Sequence, residues 1–322
     1  MTHTHDNNGH SVEPTSGSEV RAVAGGDLES ATGRSTEPAG RGWPAAWACR
    51  RIALVIFGLA LAMHLSVSVL ALSLGFSLRF TVIISELISL LGLSLWVSFR
   101  MGLSPSESLA LRRTDAVHWV VAIVAALPLQ VFGGAMQYLI LQSWPDDGAM
   151  REMLERTFQE LMNTDTVFDV VVLFFTGVLL AAVCEEVLFR GLLLQLLARR
   201  SGWASAILLG AVLFSAFHLD PIGFLPRLPI GLFLGLLVWR SGSLYPAVLA
   251  HGTFNFVGLF VVPLAGEPPT LETVAETGLL AGLVFCAILA IYLRVTKATP
   301  PPIREIRPQA GAGRLGITAS ER

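Results

Sequence analysis

Glu185 and Glu186 stand side by side in one of the most apolar stretches of the chain, between Val170 and Arg190. A carboxylate near the centre of a bilayer costs roughly 2.5–3.5 kcal/mol on insertion scales, so two in succession demand a partner or a task. Arg190 follows Glu186 by one helical turn, on the same face and in the favoured acid-before-base order. In low dielectric each offsets much of the other's desolvation, and Glu186 with Arg190 reads as a structural ion pair. Glu185 points about 100° away and has no arginine one turn on, which leaves its carboxylate free to act as a general base. Two later apolar segments carry imidazoles at the same spacing: Phe214 with His218, and His251 with Asn255. A buried carboxylate, two imidazoles and an amide are the inventory for hydrolysing a peptide bond. Glu185 takes a proton from water, His218 orients that water, and His251 with Asn255 stabilises an oxyanion, where one donor is worth roughly 3–4 kcal/mol of barrier. Glu185, His218 and His251 are equally a ligand set for a divalent metal such as zinc, two imidazoles and a carboxylate with a position left open. The residues alone do not choose between carboxylate-activated and metal-activated water. No HExxH is present, which excludes a thermolysin-type zinc helix.

The elements that must position these groups are membrane helices. Of 322 residues, 53% are hydrophobic and 14% charged, and mean hydropathy is +0.64; this is the composition of a polytopic membrane protein. The net charge of −2 offers no basis for a nucleic-acid partner. Cys49, Cys184 and Cys286 are scattered and suggest neither a disulfide framework nor a zinc ribbon. Runs of about 20 apolar residues predict eight spans, at 52–75, 80–99, 118–142, 169–197, 203–219, 224–240, 244–264 and 275–294. The sixth carries Arg227 between Pro226 and Pro229, which predicts a broken or short outer end. With both termini in the cytoplasm, nearly all arginines and lysines fall on the cytoplasmic side, and only Arg79, Arg151, Arg156 and Arg227 on the other. That pattern implies a multi-pass protein of the plasma membrane, with lipid as a constant partner. Measured from the cytoplasmic anchors at 1.5 Å per residue, Glu186, His251 and His218 lie at depths on the order of 20 Å, which lets them converge.

Residues 1–45 and 298–322 read as disordered cytoplasmic tails flanking a transmembrane domain over 46–297, whose catalytic core spans about 165–265. The loop 143–168 carries Met150, Met153, Leu154, Phe158, Leu161 and Met162 at helical spacing, predicting an amphipathic helix at the membrane surface. Gly231 and Gly235 form a small-residue pair suited to close helix packing. His64 is read as a packed residue, Glu86 as paired with a neighbour, Cys184 as a small buried hydrophobe, and His3, His5 and His10 as part of a solvated tail.

Glu185, Glu186, Phe189 and Arg190, then Phe214 and His218, then His251 and Asn255, on successive helices, resemble the CPBP family. These are the CAAX-processing and bacteriocin-processing intramembrane proteases, also called Abi-like or type II CAAX prenyl endopeptidase-like proteins. The resemblance covers about a third of the chain. It implies an all-α bundle of about eight transmembrane helices around a cavity, and an endopeptidase with Glu185 as base and His218, His251 and Asn255 assisting. The implied substrate is a membrane-associated peptide or a lipidated, prenylated protein, and the resemblance leaves the metal open, as it does the oligomeric state. Two other functions fit the same composition. A proton-coupled transporter would use Glu185 as a relay, against which weighs the lack of an internal repeat. A non-enzymatic immunity or scaffold protein would not need all three motifs intact.

Overall fold

A computed structural model describes residues 46–144, 148–265 and 270–301. The two tails expected at the termini, with His3, His5 and His10, therefore lie outside the described residues, apart from 298–301. The described chain is all helical: α1 (Ala46–Ser73), α2 (Leu78–Arg100), α3 (Ala116–Ser143), α4 (Ala149–Met162), α5 (Val167–Phe217), α6 (Pro221–Ser241), α7 (Tyr245–Leu264) and α8 (Leu271–Val295). All but α4 are long and apolar enough to cross a membrane, which makes seven such helices among the described residues. The fold is an all-α, polytopic bundle consistent with a CAAX-protease-like architecture.

The spans predicted at 169–197 and 203–219 are the two arms of α5, helices separated by one non-helical residue, so seven helical stretches correspond to the eight predicted spans. The arms meet at Gly202, whose φ of 74° and ψ of 167° only glycine adopts without strain. Arg199, Arg200 and Ser201 interrupt the apolar run just before this point, so the break in hydropathy falls where the backbone leaves the helix. The sixth predicted span is not broken: α6 runs through Pro226 and Pro229, starting at Pro221 in the first position, where a missing N–H costs nothing.

The first arm of α5 is the axis of the bundle. Every residue from Cys184 to Ala198 is buried, the mark of a helix packed on all sides. Leu188, Leu192, Leu193, Leu196 and Leu197 are fully enclosed and share one core with Phe233, Leu234, Leu237 and Val238 of α6. The arm also contains two wide π-type turns, Phe174–Leu180 and Val187–Leu193, that bracket the two glutamates. Such turns insert one residue into the helical repeat and re-aim the side chains beyond it. The second arm packs on α6 through the small pair: a methyl at Gly231 would meet Ala211 Cα at 2.9 Å, and one at Gly235 would meet Ile207 at 3.2 Å. The close approach predicted for Gly231 and Gly235 is thus made within the chain. The amphipathic segment forms helix α4, and Arg79 holds its end: Nη2 donates to the Leu161 carbonyl at 2.9 Å while Nη1 pairs with Asp169 at 3.2 Å. Met153 is exposed; the side chains of Met150, Leu154 and Phe158 lie outside those described.

The α5–α6 contact is tested by a pair of substitutions. Gly231→Ala forces helices apart and is expected to lower stability by about 1–3 kcal/mol. Gly134→Ala, on α3 with open space around it, is expected to be neutral or to stabilise by up to about 1 kcal/mol. Denaturant titration in micelles compares them, and equal effects would contradict this packing.

Candidate active site

The site is built outward from Glu186, whose side chain is 0% exposed. Arg190 Nη1 donates to Glu186 Oε1 at 2.6 Å, one turn along α5. The same oxygen receives Nδ1 of His251 from α7 at 2.9 Å. Arg190 also reaches the Gly231 carbonyl of α6 at 3.3 Å, and its guanidinium lies 4.3 Å from the centroid of the Phe214 ring, a cation–π contact. A single buried charge pair therefore ties together both arms of α5 with α6 and α7.

His218 closes the second arm of α5, its Nδ1 2.9 Å from the Phe214 carbonyl. A carbonyl can only accept, so Nδ1 of His218 carries the proton and Nε2 a lone pair. His251 faces the same constraint, because the Glu186 carboxylate paired with Arg190 accepts from Nδ1. Both imidazoles thus present bare Nε2 atoms, and both aim at Glu185: His218 Nε2 and His251 Nε2 each lie 3.9 Å from Glu185 Oε2. That oxygen is buried and has no direct hydrogen-bond partner. The Phe214 ring sits edge-on between the imidazoles, 5.1 Å from His218 and 5.7 Å from His251 by centroids. Three lone-pair carriers converge with no donor among them, at a spacing too wide for a direct hydrogen bond but within reach of one bridging water, which has two protons to give. The His218 side chain is 27% exposed against 5% for His251, so the cluster opens on the His218 side.

Zinc bonds of 2.0–2.2 Å would set tetrahedral ligand atoms about 3.3–3.5 Å apart. Both measured edges are 3.9 Å, and no group of three or more His, Cys, Asp or Glu among the described residues has the geometry to hold a metal. The side chains as placed do not fit the zinc set that their types suggested.

Asn255 is placed differently from the other three. Its Nδ2 donates to the Gly177 carbonyl at 2.9 Å, joining α7 to the first wide turn of α5, where the Ala181 N–H reaches back to Thr176. Two residues given structural readings, His64 as packed and Glu86 as paired with a neighbour, stand next to the cluster. His64 packs edge-on to Phe217 at 5.2 Å, with Nδ1 3.1 Å from Ser89 Oγ. Glu86 is 6% exposed with Oε2 unpartnered. Both lie close enough to Glu185 to act on it electrostatically. An ionisable residue inside a span was the available signal for them; nothing in their spacing linked them to α5. Cys184 is fully buried, as expected of a small apolar side chain.

Comparison with known families bears on this geometry directly. Residues 167–257 match the type II CAAX prenyl endopeptidase Rce1-like family. The match begins with α5, ends two residues after Asn255, and contains Glu185, Glu186, Arg190, His218 and His251. It covers less than a third of the chain, and α1–α4 and α8 lie outside it. No match was found among curated proteins or among solved structures. The Rce1-like match and the buried Glu/His cluster agree on the same helices.

Stability separates the two glutamates. Arg190→Leu strands Glu186 in the core and is expected to destabilise by about 3–5 kcal/mol. Glu185→Gln removes a charge with no direct partner and is expected to change stability by no more than about 1 kcal/mol. Denaturant titration of both variants checks this, and a Glu185→Gln loss as large as that of Arg190→Leu would overturn the division of roles.

Proposed function

We propose that this protein is an intramembrane endopeptidase that hydrolyses a peptide bond in a membrane-associated peptide or lipidated protein. The observation that carries the reading is the equal 3.9 Å approach of two Nε2 atoms to the unpartnered oxygen of Glu185. A water between them donates its protons to Glu185 and one imidazole, which leaves its oxygen lone pair for attack. As that oxygen bonds to the scissile carbonyl carbon, Glu185 takes the proton. When the tetrahedral intermediate collapses, Glu185 returns the proton to the leaving nitrogen, and the C–N bond breaks. His218 and His251 position the water. The Glu186 carboxylate holds the His251 ring through Nδ1, which keeps Nε2 aimed at that water.

Asn255 supports the reaction as a positioning residue, through its hold on the turn before Glu185. The apolar surroundings of α5 exclude bulk water, which strengthens each of these electrostatic contacts. The same reading places the protein in the plasma membrane with both termini in the cytoplasm, as the arginine distribution expects.

The test is turnover of a mixed peptide set by purified protein in lipid nanodiscs, read by mass spectrometry. Glu185→Gln, His218→Ala and His251→Ala are each expected to lower the rate at least about a hundredfold, with Glu185→Gln still folded. Unchanged turnover in Glu185→Gln and His218→Ala would end the proposal. Proton-driven flux without cleavage would establish the transporter instead.

A further inference from the structure

The reaction proposed above draws on α5 and α7 and leaves Glu86 of α2 unused. Glu86 is 6% exposed, and its Oε2 is enclosed with no direct hydrogen-bond partner, the same condition as Oε2 of Glu185. The part of α2 that carries it, Leu78–Gly92, packs against Ala181–Glu186, the length of α5 that holds the other two glutamates. Glu86 and Glu186 are each the last residue before a wide π-type turn, Leu87–Gly92 on α2 and Val187–Leu193 on α5. Such turns gather at functional sites. The Glu185 charge acts on Glu86, and both carboxyl groups act on Cys184. Close packing gives no use for a carboxyl here, since α2 also buries Thr81, Ser85 and Ser89, small side chains that serve that purpose.

Protons are scarce around Glu185. His218 commits its Nδ1 proton to the Phe214 carbonyl and His251 commits its own to Glu186. His64 on α1 is bound in the same way. Ser89 Oγ donates to the Ser85 carbonyl, so toward His64 Nδ1, 3.1 Å away, it can only accept. The His64 proton therefore lies on Nδ1 and is committed to Ser89. No imidazole near Glu185 has a proton left to give. Among the described residues no cation pairs with Glu86. The ionisable groups facing it are Cys184 and Glu185 on α5, with His64 held on Ser89 one turn along; α4 meets α2 at Arg79, two turns toward the outer end. An enclosed carboxylate without a donor is prohibitive, and two beside each other more so. A carboxylic acid brings its own donor.

We propose that Glu86 is a positioning residue for Glu185: the two carboxyl groups hold one proton and one negative charge between them, the proton on Glu86 and the charge on Glu185. The purpose of this division rests on the endopeptidase reading, but its existence does not. With Glu86 neutral, the single charge stays where the water is, and Glu185 is the base. When Glu185 takes the proton of the attacking water, both carboxyl groups are neutral. When it returns that proton to the leaving nitrogen, the charge is restored on Glu185 while Glu86 has kept its proton throughout. The site is then built from α2 as well as from α5 and α7, although α2 lies outside the Rce1-like match.

Infrared spectroscopy reads this proton without requiring turnover. Full-length protein is held in bilayers of ether-linked phosphatidylcholine, which has no ester carbonyl to mask the signal. One carboxylic-acid carbonyl band is expected at neutral pH, absent in Glu86→Gln and present in Glu185→Gln. With the neighbouring charge gone, the band in Glu185→Gln is expected to be lost at a pH at least about one unit lower than in the unsubstituted protein. No band, a band removed by Glu185→Gln instead, or a band whose pH of loss ignores Glu185→Gln overturns the proposal. Turnover of the peptide set then separates a proton donor from packing. Glu86→Leu is expected to lower the rate at least about tenfold more than Glu86→Gln, which keeps a neutral N–H donor of similar size. Equal rates in the two variants, or a faster Glu86→Leu, overturns the positioning role. If the band behaves as expected while the unsubstituted protein cleaves no peptide, the shared proton stands and the endopeptidase reading falls.

Discussion

One buried chain of charge, Arg190 to Glu186 to His251, fixes the rest of the site. Leaving any one of these groups unpaired in an apolar interior is prohibitive, so each holds the others in place. The chain sets the His251 tautomer, and with it the direction in which a bare Nε2 points. It also draws α5, α6 and α7 to a common depth, because Arg190 touches the Gly231 carbonyl and the Phe214 ring as well as Glu186. Glu186 is therefore less a partner in chemistry than the group that orients the chemistry of its neighbour.

Glu185 is the exception that this chain makes possible. Its oxygen faces two imidazoles and no direct donor, which leaves a bridging water to supply the missing hydrogen bonds. The backbone of α5 shows corresponding irregularities on both sides of the glutamates, with wide turns before and after them and a glycine bend that returns the second arm toward the first. Irregular backbone at membrane depth is tolerated where protein encloses it, and the complete burial of Cys184–Ala198 supplies that enclosure for the second wide turn.

Much of this architecture was legible in the amino acids. The apolar runs located the spans because about 20 apolar residues have few other uses, and Glu186 with Arg190 was readable because helical spacing makes them neighbours. The interruption at Gly202 was legible as well, since Arg199 and Arg200 separate two apolar runs where the backbone leaves the helix. The bond between His251 and Glu186 was not legible at all, because it joins distant helices and no local periodicity reports it. The same holds for Asn255: its residue type suggested an oxyanion donor, whereas its amide meets Gly177, in a wide turn that apolar patterning cannot reveal. His64 looked like packing and Glu86 like half of a local pair for the same reason, since both are placed beside α5 by tertiary contact alone.

The central claim is that two imidazoles offer bare Nε2 atoms to Glu185, and solid-state ¹⁵N NMR of histidine-labelled protein in lipid bilayers reads this directly. His218 and His251 are assigned by the loss of one signal set in His218→Gln and in His251→Gln. Protonated Nδ1 and unprotonated Nε2 are the expected states of both rings in the resting protein. A proton found on Nε2 of His251, with Nδ1 bare, would contradict the hold of Glu186 on that ring and remove the basis for a water shared with Glu185.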